Sequence, residues 1–228
     1  MDNLSRIRDR IANAAIRAGR QPGDVTLVAV TKYVNFEVTK ALVHSGQQIL
    51  GESRPQVLWE KVEALRDLDV QWHMIGHLQR NKVNRTIGCC GLIHSVDSVR
   101  LLEAIQTAAA NQQKISRCLL EVNISGEKEK HGFQTQELTD VLADASEMPN
   151  VAIKGLMGMA SLSGSVAENQ SEFAKLNEQF KALSVFNSGN VQLEHLSMGM
   201  SGDFEQAIAE GSTLVRVGSS LFEGVISR

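Results

Sequence analysis

The sequence has few of the residues that mark secreted or membrane-spanning proteins. It contains only three cysteines in 228 residues, and two of them, Cys89 and Cys90, are adjacent, which suits neither a paired disulfide framework nor a zinc site. No apolar run approaches the roughly 20 residues that span a bilayer, and the charged N-terminus lacks the apolar stretch of a secretory signal. We therefore expect a soluble protein of the reducing cytoplasm.

An excess of basic residues and proline-rich linkers are also absent. Lys and Arg total 23 against 26 for Asp and Glu, so the net charge of -3 creates no overall basic field for a nucleic-acid backbone. Hydrophobic residues make up 43% and charged residues 21%, which indicates a globular chain with a sizeable core and excludes disorder. The three prolines mark no linker, and we expect one domain over residues 1–228.

What is present is a regular alternation of short apolar segments with stretches of helical spacing. Strands are predicted at 26–32, 48–53, 70–77, 91–96, 117–125, 151–160, 192–198 and 213–218. Helices are predicted at 37–45, 56–68, 98–111, 136–147, 169–183 and 204–210, with an additional N-terminal helix at 3–18. Because βαβα alternation implies a parallel sheet and eight strands close a barrel, the fold class is α/β, a single TIM-like (β/α)8 barrel.

Lys32 is the first candidate for chemistry. In such barrels the functional residues sit at the carboxyl ends of the strands, and Lys32 ends an apolar one. Desolvation there would favour a neutral amine that can attack a carbonyl, so Lys32 is the Schiff-base candidate. The alternative is a strand-end lysine that reaches into solvent, and position alone favours that alternative.

The segments after the last two strands predict a phosphate site. Barrels often bind phosphate there on backbone N–H groups, and residues 197–202 and 218–220 supply glycines for close approach and serine hydroxyls as donors. In the alternative interpretation, Ser201 or Asp203 caps the next helix and Gly218 serves a turn. Asp203 favours a cap, since its charge would repel a phosphate placed too near.

Arg216 and the histidines leave further alternatives open. Arg216 shares a strand face with Leu214 and Gly218, and in the barrel interior its guanidinium would need a buried acceptor such as a pyridine nitrogen, a carboxylate or a neighbouring acidic residue. His73 and His77 resemble a metal pair, but no third ligand stands at ligand spacing, and we expect no metal.

Several segments together resemble one known family. They are AVTK at 29–32, GESR at 51–54, WHMIGHLQRNK at 72–82, HSVD at 94–97, VNIS at 122–125, GLM at 155–157, LSMGMSGD at 196–203 and VRVG at 215–218. From near residue 4 to the C-terminus, the chain resembles the pyridoxal phosphate homeostasis proteins, also called proline synthase co-transcribed homologues. The resemblance implies a cytoplasmic barrel, similar to that of alanine racemase without its second domain, which binds pyridoxal 5'-phosphate and serves vitamin B6 and amino-acid or keto-acid homeostasis.

The resemblance also implies roles for individual residues. Lys32 matches the lysine that holds the cofactor as an aldimine, and Arg216 matches the arginine that faces the pyridine nitrogen. The implied phosphate partners are Ser197, Ser201, Gly218 and Ser219, and Ser53 and His77 complete the predicted cofactor site. The sequence departs from the family pattern at Ser53, where many relatives have asparagine, at Val34, which replaces a frequent second lysine, and at Pro55.

Two enzyme functions compete with a binding role. One is a pyridoxal-phosphate-dependent racemase or related amino-acid enzyme, and the other is a Schiff-base aldolase for a sugar phosphate. We expect no enzyme, because racemisation needs a second acid or base across from Lys32, and the only tyrosine, Tyr33, would point to the opposite side of an extended strand. We further expect a monomer, with pyridoxal-phosphate-dependent apoenzymes as recipients and neither nucleic acid nor membrane as partner.

Overall fold

The eight predicted strands form a closed parallel barrel. The computed structural model describes residues 2–127, 131–161 and 163–225. The strands are β1 Thr26–Val30, β2 Ile49–Glu52, β3 Gln71–Met74, β4 Leu92–Val96, β5 Ser116–Val122, β6 Val151–Gly158, β7 Val191–Ser197 and β8 Leu214–Val217. Each strand pairs with the next in sequence order, and β8 pairs with β1. The predicted fold class is confirmed.

Helices surround the barrel. They are α1 Asp2–Arg17, α2 Phe36–His44, α3 Pro55–Ala64, α4 Val83–Thr86, α5 Val99–Asn111, α6 Leu138–Ser146, α7 Val166–Leu183 and α8 Phe204–Ala209. The N-terminal helix is present as predicted, and Leu4, Ile7 and Ile11 on one face of it are buried. The one-turn helix α4 was not predicted, because four residues are too few to show a helical period.

Local sequence sets where the helices begin. Asn35 caps α2 by accepting a hydrogen bond from the Val38 N–H at 3.0 Å. Ser165 and Glu168 form a capping box, which starts α7 three residues before the predicted boundary at Asn169. Pro55 is the first residue of α3, a position where the missing N–H costs nothing, so this departure from the family pattern fits the helix.

The barrel interior has an apolar layer and a polar layer. Val28, Leu92, Leu119, Met157 and Leu214 pack together inside the barrel. Because side chains two residues apart in a strand share a face, the residues two positions further on also point inward. They include His94, Glu121 and Arg216, all buried. The polar side chains therefore lie directly beneath the carboxyl ends of the strands, the end that we call the mouth.

The other side of the strands packs against the helices in one continuous apolar cluster, to which α1, α5 and α7 contribute buried residues. In residues 2–127, 131–161 and 163–225, no helix combines the length and the apolar character needed to cross a membrane.

Candidate functional site

Lys32 lies at the mouth but not in a strand. β1 ends at Val30, and the Val34 N–H donates to the Thr31 carbonyl oxygen at 3.0 Å, which closes a turn. The side chain of Lys32 is exposed, so it does not have the buried, apolar surroundings that the sequence suggested. Its Nζ lies 4.9 Å from the centroid of the Tyr33 ring. The expectation that Tyr33 points away from Lys32 is wrong, because it assumed an extended strand where the chain turns.

A buried ion pair lies beneath this turn. The Lys61 Nζ on α3 donates to Glu52 Oε1 at 2.6 Å and to the Thr31 carbonyl oxygen at 2.7 Å. The Thr31 hydroxyl donates to the same Glu52 Oε1 at 2.7 Å, while Glu52 Oε2 is buried without a hydrogen-bond partner. The network ties the end of β1 to β2 and α3, and so fixes the backbone from which Lys32 projects. Val34 is also buried and packs in the core.

Arg216 is fixed at the top of the barrel interior. Its Nη1 donates to the carbonyl oxygen of Ser197 at 2.9 Å and to the Ser197 Oγ at 2.6 Å, and its Nη2 donates to the Gly158 carbonyl oxygen at 3.1 Å. Burial lowers the pKa of Arg216 to about 10, against the opposing charges of Glu121 and Asp203. The guanidinium is therefore still charged at neutral pH. Among the described residues, its hydrogen-bond acceptors are two carbonyl oxygens and one hydroxyl, and not the carboxylate considered from sequence.

Ser197 extends this arrangement into a chain of hydrogen bonds. Its hydroxyl is 2.9 Å from His94 Nδ1, and His94 Nε2 is 3.0 Å from His73 Nδ1. Because a guanidinium can only donate, the Ser197 hydroxyl accepts from Arg216 and can donate its own hydrogen bond to His94 Nδ1. Burial lowers the pKa of His73 to about 4 and that of His94 well below its usual value, so both imidazoles are neutral.

Glu121 is the buried acid of the interior. Burial, aided by the charge of Asp97, raises its pKa to about 7, while the charges of Arg216 and His77 oppose the rise. Sequence reasoning missed Glu121, His94 and the pair of Glu52 and Lys61. Strand parity could have found the first two, since each stands two residues after a leucine that packs inside the barrel.

The loops after β7 and β8 meet as predicted. The N–H groups of Gly218 and Ser220 both point at the Ser201 Oγ, at 3.2 and 3.5 Å. Gly199 has φ +91°, and a Cβ there would lie 2.8 Å from the Cα of Phe204, so this turn requires glycine. Neither Ser201 nor Asp203 caps α8 through its side chain, and the Asp203 carboxylate accepts from the Met200 N–H instead. Ser219 is exposed beside them.

Ser53 and His77 lie on the β2 and β3 side of the mouth. Ser53 is half-buried, and a Cβ at Gly76 would come within 2.8 Å of its Cα, so the two loops touch. His73 and His77 diverge: His73 points inside the barrel to His94, whereas the His77 Nδ1 lies 3.0 Å from Asp97 Oδ2. They form no metal pair with each other.

The opposite end of the barrel holds a cavity of about 840 Å³. It is lined by residues at the amino ends of the strands, among them Thr26, Cys89, Arg117 and His195. Burial raises the pKa of the Cys89 thiol, so it is not a ready nucleophile. None of the predicted site residues lines this cavity. Barrel chemistry is normally placed at the carboxyl ends, and the residues above converge there.

The fold and the polar mouth define a barrel of the alanine racemase type: residues 3–224 match the family described as the N-terminal domain of alanine racemase. Over 221 residues, the chain is 41% identical to the pyridoxal phosphate homeostasis protein of Aquifex aeolicus (strain VF5), covering 97% of this chain and 96% of that protein. The protein of the same name from Escherichia coli (strain K12) is 32% identical over 227 residues, with 96% and 94% covered. The chain thus belongs to the pyridoxal phosphate homeostasis proteins of this racemase-domain family.

Solved structures agree with this assignment. A protein of unknown function from Bifidobacterium adolescentis superposes with a TM-score of 0.92 at 33% identity, covering 97% of this chain and 93% of that one. PipY of Synechococcus elongatus PCC7942, with PLP bound, gives a TM-score of 0.82 at 34% identity, covering 95% and 99%. An alanine racemase of Clostridium difficile 630, at 14% identity and a TM-score of 0.71, shares the fold over 56% of its own length.

Proposed function

We propose that this protein binds pyridoxal 5'-phosphate at the mouth of the barrel and acts as a non-catalytic carrier in vitamin B6 and amino-acid or keto-acid homeostasis. The observation that carries the proposal is that one mouth holds an exposed amine, a fixed guanidinium and a serine hydroxyl oriented by two backbone N–H groups. It is supported by the 34% identity to PipY, whose structure has PLP bound.

The residues at the mouth fit this cofactor. A phosphate dianion needs several donors. The Ser201 Oγ accepts from the N–H groups of Gly218 and Ser220, so its own proton is left to donate to the phosphate, and the exposed Ser219 supplies a second hydroxyl. We assign Ser201, Gly218 and Ser219 to the phosphate, Arg216 to the pyridine nitrogen and Lys32 to the aldehyde carbon. Ser53 would border the ring.

Two predicted cofactor residues have other contacts. Ser197 is fully buried and bonded to Arg216 and His94, so we assign it to supporting the guanidinium and not to the phosphate. His77 faces Asp97, and we give it no role in holding the cofactor.

The same residues favour a carrier over a racemase. When bound, pyridoxal phosphate supplies an electrophilic aldehyde and an electron-withdrawing ring. Arg216 is charged at neutral pH, and a guanidinium beside the ring nitrogen would leave that nitrogen without a proton of its own, which would weaken the electron sink. The Tyr33 ring lies beside the Lys32 amine, so it does not stand across a substrate from it. Lys32 can thus form a covalent link, and Tyr33 does not supply the second acid or base that racemisation needs.

Absorbance and chemical trapping test the proposal. The purified protein should be yellow, and borohydride should fix one pyridoxyl group on Lys32, as mapped by peptide mass spectrometry. Buried Lys61 serves as the internal control and should carry none. Pyridoxal without its phosphate should bind far more weakly. A label on another lysine, or equal affinity for pyridoxal and its phosphate, would contradict the assignment.

Assays with D- and L-amino acids separate carrier from enzyme. We expect no racemisation or keto-acid release at a useful rate. Turnover of about 10 per second, a typical enzyme value, that disappears in Lys32→Ala would establish an enzyme instead.

The remaining parts of the proposal concern the oligomeric state, the cellular location and the recipients of the cofactor. We propose that residues 1–228 act as one monomeric, cytoplasmic unit that hands the cofactor to pyridoxal-phosphate-dependent apoenzymes. The test mixes the loaded protein with such an apoenzyme and follows its activation. Activation faster than spontaneous cofactor release allows would support direct transfer, and activation limited by that release would refute it.

A further inference from the structure

Three side chains with metal-binding atoms meet at the rim of the mouth, beside the cofactor residues. We call His77, Asp97 and His131 the rim cluster. The His77 Nδ1 lies 3.0 Å and the His131 Nδ1 3.7 Å from the same oxygen, Asp97 Oδ2. One ligand atom from each of the three residues can be chosen so that all lie within 4.8 Å of one another. Each imidazole thus turns its Nδ1 atom toward Asp97 Oδ2.

The backbone fixes each member from a different part of the barrel. His77 follows Gly76, whose carbonyl oxygen accepts from the Ser95 hydroxyl at 2.6 Å. Asp97 directly follows β4, and its Oδ1 accepts from the Ser98 hydroxyl at 3.1 Å, which leaves Oδ2 for the histidines. The carboxylate is therefore oriented toward the imidazoles before any ion binds.

His131 reaches the cluster because its loop is pinned to β5. The Phe133 N–H donates to the Glu121 carbonyl oxygen at 2.8 Å, and the Asn123 N–H donates to the Phe133 carbonyl oxygen at 3.0 Å. Gly132, at φ +116°, packs so closely that a Cβ would lie 2.8 Å from the Asn123 nitrogen. The loop can take this path only with glycine next to His131.

The His77 Nδ1 is within hydrogen-bond distance of Asp97 Oδ2, and the distances in the rim cluster also fit a shared metal ion. Bonds of about 2.0–2.1 Å in a tetrahedral site place neighbouring ligand atoms about 3.3 Å apart, and the two measured distances lie on either side of that value. The rings of His77 and His131 are stacked, with centroids 4.7 Å apart and planes 20° apart. Two imidazoles held side by side, with their Nδ1 atoms facing one carboxylate oxygen, can share one cation.

We propose that the rim cluster binds a divalent transition-metal ion, Zn²⁺ in preference to Mg²⁺ or Ca²⁺. Imidazole nitrogens select Zn²⁺ and its neighbours, while Mg²⁺ and Ca²⁺ prefer sites built from oxygen alone. The Asp97 side chain is 10% exposed, but those of His77 and His131 are 49% and 64% exposed, so solvent has access to a further coordination position. Three protein ligands plus one open position form the pattern of a reactive or exchangeable zinc site. This replaces the expectation of no metal, which considered spacing in sequence only.

Zinc titration of the metal-free protein, by competition with a chromophoric chelator, tests the proposal. We expect one Zn²⁺ per chain, with affinity lowered about tenfold or more by His131→Ala and by Asp97→Asn. His44→Ala, which removes an exposed histidine at the end of α2, should leave the affinity unchanged. Since His131 is exposed, His131→Ala should fold normally, which circular dichroism will verify.

Two further measurements distinguish zinc held at the rim cluster from zinc bound elsewhere on the protein. Zn²⁺ should raise the Tm of the parent protein but not that of His131→Ala, because only a ligand of the folded state stabilises it. Mg²⁺ should raise the Tm of neither protein. The proposal is overturned by the absence of stoichiometric binding, by equal binding of Mg²⁺, or by zinc binding that persists in both variants and disappears in Cys89→Ser/Cys90→Ser. No step needs pyridoxal phosphate, so the result is independent of the proposed function.

Discussion

Lys61 and Lys32 both lie next to the backbone of Thr31, but one is buried and the other is exposed. Lys61 is 2% exposed, and its ammonium is bound to the Thr31 carbonyl oxygen and to Glu52. Lys32 follows Thr31 in sequence. Its side chain is exposed and contacts the Tyr33 ring. Lys61 holds the turn in place, whereas the side chain of Lys32 is accessible to solvent. The two lysines therefore differ because different groups surround their amines.

Replacing Lys61 by methionine should have the largest effect on stability. The Glu52 carboxylate would remain buried without its cation, which typically costs about 3–5 kcal/mol of the free energy of unfolding. Urea denaturation measures the loss. Arg66→Met is the control, because the exposed pair of Arg66 and Glu63 should contribute less than about 1 kcal/mol.

A double variant then separates charge from packing. Lys61→Met with Glu52→Gln removes the unpaired charge and should recover part of the stability. If the double variant is as unstable as Lys61→Met alone, the buried charge is not the cause.

Glu121 is a second buried carboxyl group, and its contribution to the free energy of unfolding should depend on pH. The folded protein holds its proton up to about pH 7, whereas the unfolded chain releases it near the ordinary value of 4.5. Raising the pH through this window therefore destabilises the parent protein, by about 1.4 kcal/mol per pH unit. Glu121→Gln does not titrate, so its stability relative to the parent should rise across the window by about 3 kcal/mol.

Denaturation of Glu121→Gln and the parent from pH 4 to 8 makes this measurement. His73 and His94 have lowered pKa values and act with the opposite sign, being stabilising as the pH rises, but they are present in both proteins and cancel in the difference. A stability difference that stays constant with pH would show that Glu121 is not protonated in the fold.

Ser201→Ala should weaken the binding of pyridoxal phosphate and have a smaller effect on the free energy of unfolding. Its hydroxyl meets the N–H groups of Gly218 and Ser220, and the loss of one hydrogen bond of about 1–1.5 kcal/mol should raise the Kd for pyridoxal phosphate about tenfold. Equilibrium titration by absorbance measures the Kd. Ser146→Ala, on the exposed side of α6, is the control. An unchanged Kd would remove Ser201 from the phosphate site.

Lys32→Ala should have the smallest effect on stability, within about 0.5 kcal/mol, because the side chain is exposed and forms no buried contact. The same variant should lose all borohydride-fixed pyridoxyl. Its contrast with Lys61→Met tests directly whether the two lysines differ in role. A large loss of stability would mean that Lys32, too, supports the turn.

The barrel was predictable from sequence, because eight short apolar segments alternate with stretches of helical spacing. Lys32 and Arg216 could be placed at the mouth from strand ends and parity. The turn at Lys32 could not, since Thr31 continues the apolar, β-branched run of β1 and nothing in sequence shows where pairing stops. The Glu52 and Lys61 pair was missed because sequence does not show which side of a strand faces the helices. His131 was missed because its loop approaches β5 only in three dimensions.

The pairing that closes the barrel has a consequence for how the protein is made. Val28 of β1 pairs with Arg216 of β8, and Ala29 pairs with Val217, although these strands come from opposite ends of the chain. Contacts so distant in sequence are costly in loop entropy and slow to form. A chain still on the ribosome, with β8 not yet synthesised, has Lys32 but lacks Arg216. The cofactor site that we propose at the mouth is therefore complete only after β8 has been synthesised and has paired with β1.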